Sequence, residues 1–368
     1  VRLTMGGEPT FVAIDGVDAP EWNTAAHGPH KRALAATLIG RLRDRFAPGG
    51  LLHFGQGKWY PGESLPRWAF ALYWRGDAQP LWRDARLIAQ EQAKGDATLE
   101  DAKRFTDTLA TLLGIDPDLP VPAFEDPVPY LTREQRLPEN VEPFDSKLED
   151  PEERARLARV FERGLAAPVG YVMPLQRWNA PHQRAWYSER WSTRRGRLFL
   201  VPGDSPIGFR LPLESLPHLA KETYPYFMRA DPFAPRTPLP GSEPRDDDQM
   251  AVQHRAAAGA DPQRVMEQGG PAGADGVARI ALAVEPRDGR LCVFLPPTES
   301  ASEYVELIGS IESTAARLGQ SVHVEGYAPP PDERLNVIKV TPDPGVIEVN
   351  VQPARSWPEL VSITTTLY

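Results

Sequence analysis

From His30 to Phe46 the apolar positions Leu34, Leu38, Leu42 and Phe46 recur every fourth residue, with Arg and Lys between them. That spacing predicts an amphipathic helix, opened after Gly28-Pro29 and closed by Pro48-Gly49-Gly50. A second helix is predicted over 96–113, with Leu99, Phe105, Leu109 and Leu112 inward and Gly114 as its stop. A third starts at Asp150-Pro151-Glu152-Glu153 and runs to Leu165. It has a capping Asp, a Pro in its first turn, and acids at the positive end of the helix dipole. Residues 115–150, Pro-rich and acidic, read as an extended connection.

Strand signals are shorter. Thr10 to Ile14 is a β-branched and aromatic run, and short strands are expected at 169–175 and 197–201. Residues 51–74 hold a Gly-rich segment from Gly55 to Glu63, followed by an aromatic stretch through Trp68, Phe70, Tyr73 and Trp74. Residues 241–277 contain no aromatic residue, Leu or Ile, so nothing there offsets ordering entropy and a flexible linker is predicted. Beyond it Ile280, Leu282 and Val284 alternate, and the turn Pro286-Arg287-Asp288-Gly289 joins them to Leu291–Leu295 as a hairpin. A helix over 302–318 has Ser300 and Glu303 in capping-box spacing and Gly319 as its stop. Strands are expected at 321–326, 335–340 and 345–352, and Ser356-Trp357-Pro358-Glu359 opens a last helix. The pattern therefore predicts an α+β protein in four parts. These are an N-terminal α/β region (1–150), a helix with short strands (151–240), the linker (241–277), and the start of an antiparallel sheet with helices (278–368).

Composition narrows the function classes. Proline, 40 of 368 residues, is about twice as frequent as usual, which disfavours long uninterrupted helices. A single cysteine, Cys292, excludes an internal disulfide and a Cys-based zinc cluster. The net charge of −9 and a pI of 5.4 argue against a general nucleic-acid binder. No apolar run is long enough to span a bilayer, so a soluble cytoplasmic protein is expected, without nucleic-acid or membrane partners. The chain starts at Val1 in strand-like sequence and stops at Tyr368 inside a beginning helix, so it reads as a piece of something larger.

The segment Gly345–Gln352 carries the clearest candidate chemistry. Ile347, Val349 and Val351 share one face, and Glu348, Asn350 and Gln352 share the other. A row of oxygen ligands on a rigid strand can present Mg²⁺ and a polar substrate; the plainer reading is a solvated strand face. Glu285, at the end of another strand, can join such a site or simply be a turn carboxylate. Gly55-Gln56-Gly57-Lys58 offers backbone donors and an ammonium to phosphate but lacks P-loop spacing, and it also fits a Gly turn leading into an aromatic strand. The Gly6-Gly7-Glu8 turn is equally open. Between 177 and 197, Arg177, Arg184, Arg190, Arg194, Arg195 and Arg197 interleave with Trp178, Trp186, Tyr187 and Trp191. Such a cluster suits a triphosphate, a polyanionic peptide or nucleic acid, or else Arg–aromatic packing at a surface. The His residues lack metal-ligand spacing. His323 is expected to face outward, Cys292 to be a small buried thiol, and Glu359 to cap its helix.

These motifs together resemble a family. Leu3–Val12, Gly55–Glu63, Trp186–Trp191, Val284–Gly289 and Ile347–Trp357 are similar to segments of a large bacterial amidoligase domain. The similarity runs over essentially the whole chain. In that family the domain usually follows a transglutaminase-like domain, and its activity is inferred from likeness to glutamine-synthetase-type carboxylate–amine ligases. The resemblance implies an ATP- and Mg²⁺-dependent ligase forming an amide or isopeptide bond on an amino acid or peptide. It implies Glu348 as a metal ligand, Glu285 as a metal ligand or nucleotide contact, and Asn350 as a neighbour of Glu348 in the site. Arg355 and Lys58, by charge and neighbourhood, are candidates to steady the phosphoryl group, with Arg190 and Arg194 as further nucleotide contacts. One departure stands out: no Gly-rich segment with His or Asn follows Glu348 before Tyr368, so that part of the site is expected beyond it. The rival reading is a non-catalytic module that grips peptide or glycan for an adjacent transglutaminase-like domain through the Arg/Trp cluster. A structural connector is the third.

Overall fold

A computed structural model describes residues 3–4, 8–61, 66–92, 95–126, 128–129, 132, 166–180, 183–193, 196–216, 238–241 and 278–368. The helix expected at 151–165, nearly all of the linker expected at 241–277, and Arg194 lie outside the described residues. The protein is α+β. It forms two compact units from discontinuous stretches: one from the described residues of 1–95, 235–245 and 297–368, the other from those of 96–234 and 246–296. Among the described residues no helix is long and apolar enough to cross a membrane.

Among its described residues the first unit has six strands in the order β1 (Thr10–Phe11), β13 (Val346–Asn350), β12 (Leu335–Asp343), β3 (Trp68–Arg75), β2 (Leu51–Gln56) and β11 (Val322–Gly326). All neighbours are antiparallel except β2 and β11, which are parallel. The Gly-rich and aromatic stretch of 51–74 is thus largely one hairpin, β2–β3, whose alternate residues Leu52, Phe54, Phe70 and Leu72 lie in the core. Helix α1 (Pro29–Phe46) packs on β2, β3 and β12. Its buried stripe is Lys31, Ala35, Ile39 and Leu42, one position round from the expected one, and Leu34 is exposed. The reason is Lys31: its apolar stem is buried while its ammonium reaches the Asp343 carbonyl at 2.7 Å and lies over the Trp22 ring. Gly28 is required just before this helix, because a β-carbon there would sit 2.0 Å from Oε2 of Glu21, which accepts the Lys31 N–H.

Helix α3 (Ala301–Leu318) is capped as expected: Ser300 accepts the Glu303 N–H at 3.2 Å, and Gly319 ends it with φ of 61°. Its Tyr304 packs beside Tyr73 of β3. Helix α4 (Trp357–Leu367) is capped by Ser356 and Glu359. His323 departs from expectation. It is 2% exposed, stacked on Phe54 at 3.9 Å, with Nε2 3.5 Å from the Glu91 carboxylate that also accepts Arg32. Strand β11 is buried at every position, so alternation alone did not define an outward side.

The second unit orders its strands β10 (Arg290–Leu295), β9 (Ala281–Arg287), β5 (Gly170–Pro174), β4 (Val121–Glu125) and β8 (Leu198–Leu200). Strand β4 lies within the stretch expected to be an extended connection. Its pairing with β5 and β8 supplies partners that local sequence does not reveal. The hairpin β9–β10 turns at Asp288-Gly289, both with positive φ (52° and 73°), the geometry a two-residue turn needs. Helix α2 (Leu99–Leu113), with a Thr98/Asp101 capping box, packs Phe105 and Leu109 on β5 and β9. The Arg/Trp stretch begins as a separate hairpin, β6 (Gln176–Ala180) with β7 (Gln183–Tyr187). Cys292 is buried, as expected.

One core contact makes a sharp prediction. A β-carbon on Gly208 would lie 2.1 Å from the Phe294 ring, which also meets Phe209 edge-on at 4.5 Å. Gly208→Ala should destabilise by about 2–3 kcal/mol through overpacking, read as a lower unfolding midpoint in urea; an unchanged midpoint would show that Phe294 has room to move.

Candidate functional site: the polar face of the first unit

Strand β13 alternates as its sequence predicts. Ile347 and Val349 are 3% and 0% exposed, while Glu348 and Asn350 point to the other face and are half-buried. Register then fixes what surrounds them. Glu348 is paired with Thr10 on one side and Thr341 on the other. Asn350 is paired with Lys339, which is paired with Ala71, which is paired with His53. Because side chains of directly paired residues share a face, Thr10, Glu348, Asn350, Thr341 and Lys339 form a polar patch over β1, β13 and β12, and the same face continues inward over β3 and β2 as the buried Ala71 and His53.

Glu348 is the centre of a charge cluster. The Lys58 Nζ is 3.7 Å from its carboxylate, and Glu8, two residues before β1, hydrogen-bonds to it. Burial, followed by the Glu8 charge, pushes the Glu348 carboxyl above the usual range, while Lys58 pulls the other way. The Lys58 ammonium is raised, chiefly by Glu348. Lys58 is held by the strand ends: Gly57 donates its N–H to the Arg67 carbonyl at 2.6 Å, and Arg67 donates its own to the Lys58 carbonyl at 2.9 Å. The Arg67 guanidinium stacks 4.2 Å from the Tyr60 ring and pairs with the Asp343 carboxylate, whose backbone Lys31 anchors. A side chain at position 57 would press on the Arg67 and Trp68 carbonyls at 3.3 Å, which accounts for the glycine.

Of the residues singled out in the sequence, the structure brings Lys58 and Glu348 together and sets Asn350 on the same face, with its amide 3.4 Å from the Thr341 hydroxyl. Arg355 lies exposed at the start of α4, its backbone N–H donated to Glu359. Glu285 belongs to the second unit, where its Oε1 accepts from Arg287 at 2.6 Å and from the Ile207 N–H at 3.2 Å. Arg190, in the same unit, donates to the Asp118 carbonyl at 3.2 Å. The residues that sequence reasoning did not place are Glu8, Arg67, Asp343, Lys339 and His53. Glu8 reaches Glu348 across more than 300 positions of chain, through the pairing of β1 with β13, and no local spacing carries that signal.

The donor set can be tested against a cation. Among the described residues no group of three or more His, Cys, Asp or Glu side chains is arranged to hold a metal. The Glu8–Glu348 pair nonetheless fits Mg²⁺, which is usually held by one or two carboxylates with water and phosphate oxygens completing the shell. The mutual repulsion of two adjacent carboxyls is also what a divalent cation would relieve.

Fold and site thus define an α+β protein with a carboxylate–ammonium cluster on a sheet face. The family model "Putative amidoligase enzyme (DUF2126)" matches residues 1–368, and the chain belongs to that family. Its family name assigns it to ligases that form amide bonds. No curated protein and no solved structure matches it.

Proposed function

We propose that the protein joins a carboxylate to an amine at the expense of Mg·ATP, on an amino-acid or peptide substrate, with the chemistry on the polar face around Glu348. The observation that carries this is the Glu8–Glu348 carboxyl pair with Lys58 beside it. A carboxylate is a poor acyl donor; transfer of the γ-phosphoryl group gives an acyl phosphate and ADP, and amine attack then forms the C–N bond and releases phosphate. Glu8 and Glu348 would hold Mg²⁺, which screens the charge gathering on the transferred group. The Lys58 ammonium, exposed and tethered at the end of β2, adds a point charge to the same group. The Asn350 amide can orient the acyl oxygen, and Arg355 is a second cation within the segment after β13. A role for Glu285 as metal ligand requires it to exchange Arg287 for the ion. Arg190 and Arg194 are further candidates for nucleotide contact. A transglutaminase-like neighbour and a cytoplasmic setting belong to the same proposal.

The test is release of ADP and phosphate from Mg·ATP by the protein supplied with a mixed amino-acid and peptide pool. Lys58→Met should lower substrate-stimulated release about 10- to 100-fold by removing that charge. Absence of any stimulated release by the folded wild type would leave binding without chemistry, the reading in which this family member only grips its ligand.

A further inference from the structure

The sheet of the first unit ends at β1, which pairs with β13 and, among the described residues, with nothing on its other side. Register shows which of its groups are left open. Thr10 is opposite Glu348, and the Val349 N–H donates to the Pro9 carbonyl at 2.9 Å. Thr10 and Glu348 are therefore an antiparallel pair without mutual hydrogen bonds, and the N–H and C=O of Thr10 turn away from β13. The same alternation turns those of Val12 outward, and among the described residues neither has a backbone partner on that side. The side chains of Val12 and Ile14 are 63% and 95% exposed. Protein edges are normally blunted by Lys, by Pro or by a covering element. Residues 8–18 contain no Lys or Arg, and Pro9 turns its carbonyl to the inner side, so this edge stays open to another strand.

What the edge would carry follows from its neighbours. A strand laid antiparallel outside β1 sets the residue opposite Thr10 on the face of Thr10 and Glu348. Two strands over, its Cα stands about 10 Å from that of Glu348. A lysine side chain reaches about 6 Å from its Cα, and the Glu8 and Glu348 carboxylates reach back toward it, so a long side chain closes the gap and a short one does not. Charge selects the ammonium: Glu8, Asp15 and Asp18 are all exposed, in a run without a base. Two places along from the lysine, a side chain on the same face lies beside the exposed Val12 and gains by being apolar.

We propose that the outer edge of β1 docks an extended, lysine-bearing peptide as an added strand and delivers the lysine side chain to the Glu8–Glu348 cluster. This rests on the ligase reading above and names its amine-bearing substrate. The lysine nitrogen sheds one proton to solvent and attacks the acyl carbon; as the C–O bond breaks, its second proton leaves with the phosphate. The probe is a fluorescein-labelled heptapeptide with lysine at its centre, valine two places to either side and threonine between, followed by anisotropy without nucleotide. It should bind saturably, and Val12→Lys, at an exposed position, should weaken it at least 10-fold without moving the urea midpoint. On the peptide side, methylating the lysine backbone nitrogen, or replacing lysine by norleucine, should each cost at least 10-fold. No binding, or binding indifferent to Val12→Lys and to the methyl group, overturns the docking edge. So does a dimer of the protein that Val12→Lys dissolves while the peptide stays unbound, since a second copy is then the occupant. Cleavage of Mg·ATP is measured in the same samples. Peptide binding without cleavage upholds the edge and removes the ligase reading; cleavage stimulated by amino acids without peptide binding removes the edge alone.

Discussion

Glu348→Ala lowers substrate-stimulated ATP turnover by about 10²- to 10³-fold and does not destabilise the protein at neutral pH. The first half follows from the proposed chemistry: a carboxylate that holds the charge-screening cation acts most strongly in the transition state, where removing one stabilising group costs factors of about 10²–10³. The second follows from electrostatics. Burial and Glu8 raise the Glu348 pKa in the folded protein, so the native state binds that proton more tightly than the unfolded chain does. Stability from this group is fully present below the unfolded pKa and is lost as pH rises through the folded one. At neutral pH the ionised carboxylate is therefore a burden on the fold, and Glu348→Ala or Glu348→Gln should match or exceed the wild-type melting temperature there. The advantage should shrink as the pH is lowered toward 4. ADP release and melting curves from pH 4 to 8 check both halves; full turnover in the variant would remove β13 from the site.

His53→Phe flattens the pH dependence of stability on the acid side. In the folded protein the imidazole titrates at about 4, against an ordinary value of 6.5. Between those values the unfolded chain takes up a proton that the native state refuses, so stability is full above about pH 6.5 and falls as pH drops toward 4. The shift is worth about 3 kcal/mol at 1.36 kcal/mol per pKa unit. Phenylalanine is close in shape and carries no buried nitrogen, so the variant should lose about 3 kcal/mol less than wild type between pH 7 and pH 4. Urea unfolding at four or five pH values measures this. Parallel curves would mean that His53 reaches solvent or a partner that stabilises its charge.

The two substitutions probe the same face at different depths, and the face was visible to very different degrees in the chain. The alternation around Glu348 and Asn350 was legible because β-strand geometry is local: side chains two apart share a side whatever the strand pairs with. Helix limits were legible for the same reason, as with Ser300 and Gly319 about α3, where capping is settled within a few residues. The resemblance carried in several motifs also led to the right family. His323 was misplaced because alternation assumes one wet face, and β11 has none. The α1 stripe was off by one position because a lysine, not a leucine, fills the contact near Asp343.

What the sequence by itself determined was the α+β class, most helices and strands, the family, and the polar face of β13. What only the tertiary structure decided was the company that face keeps. Glu8, Lys58 and Arg67 come from the first 70 residues, Lys339 and Asp343 from the last 30 or so, and strand pairing lays them side by side. Pairing of strands hundreds of residues apart is chosen by the burial of whole faces and by register. Neither is written in any short window of sequence.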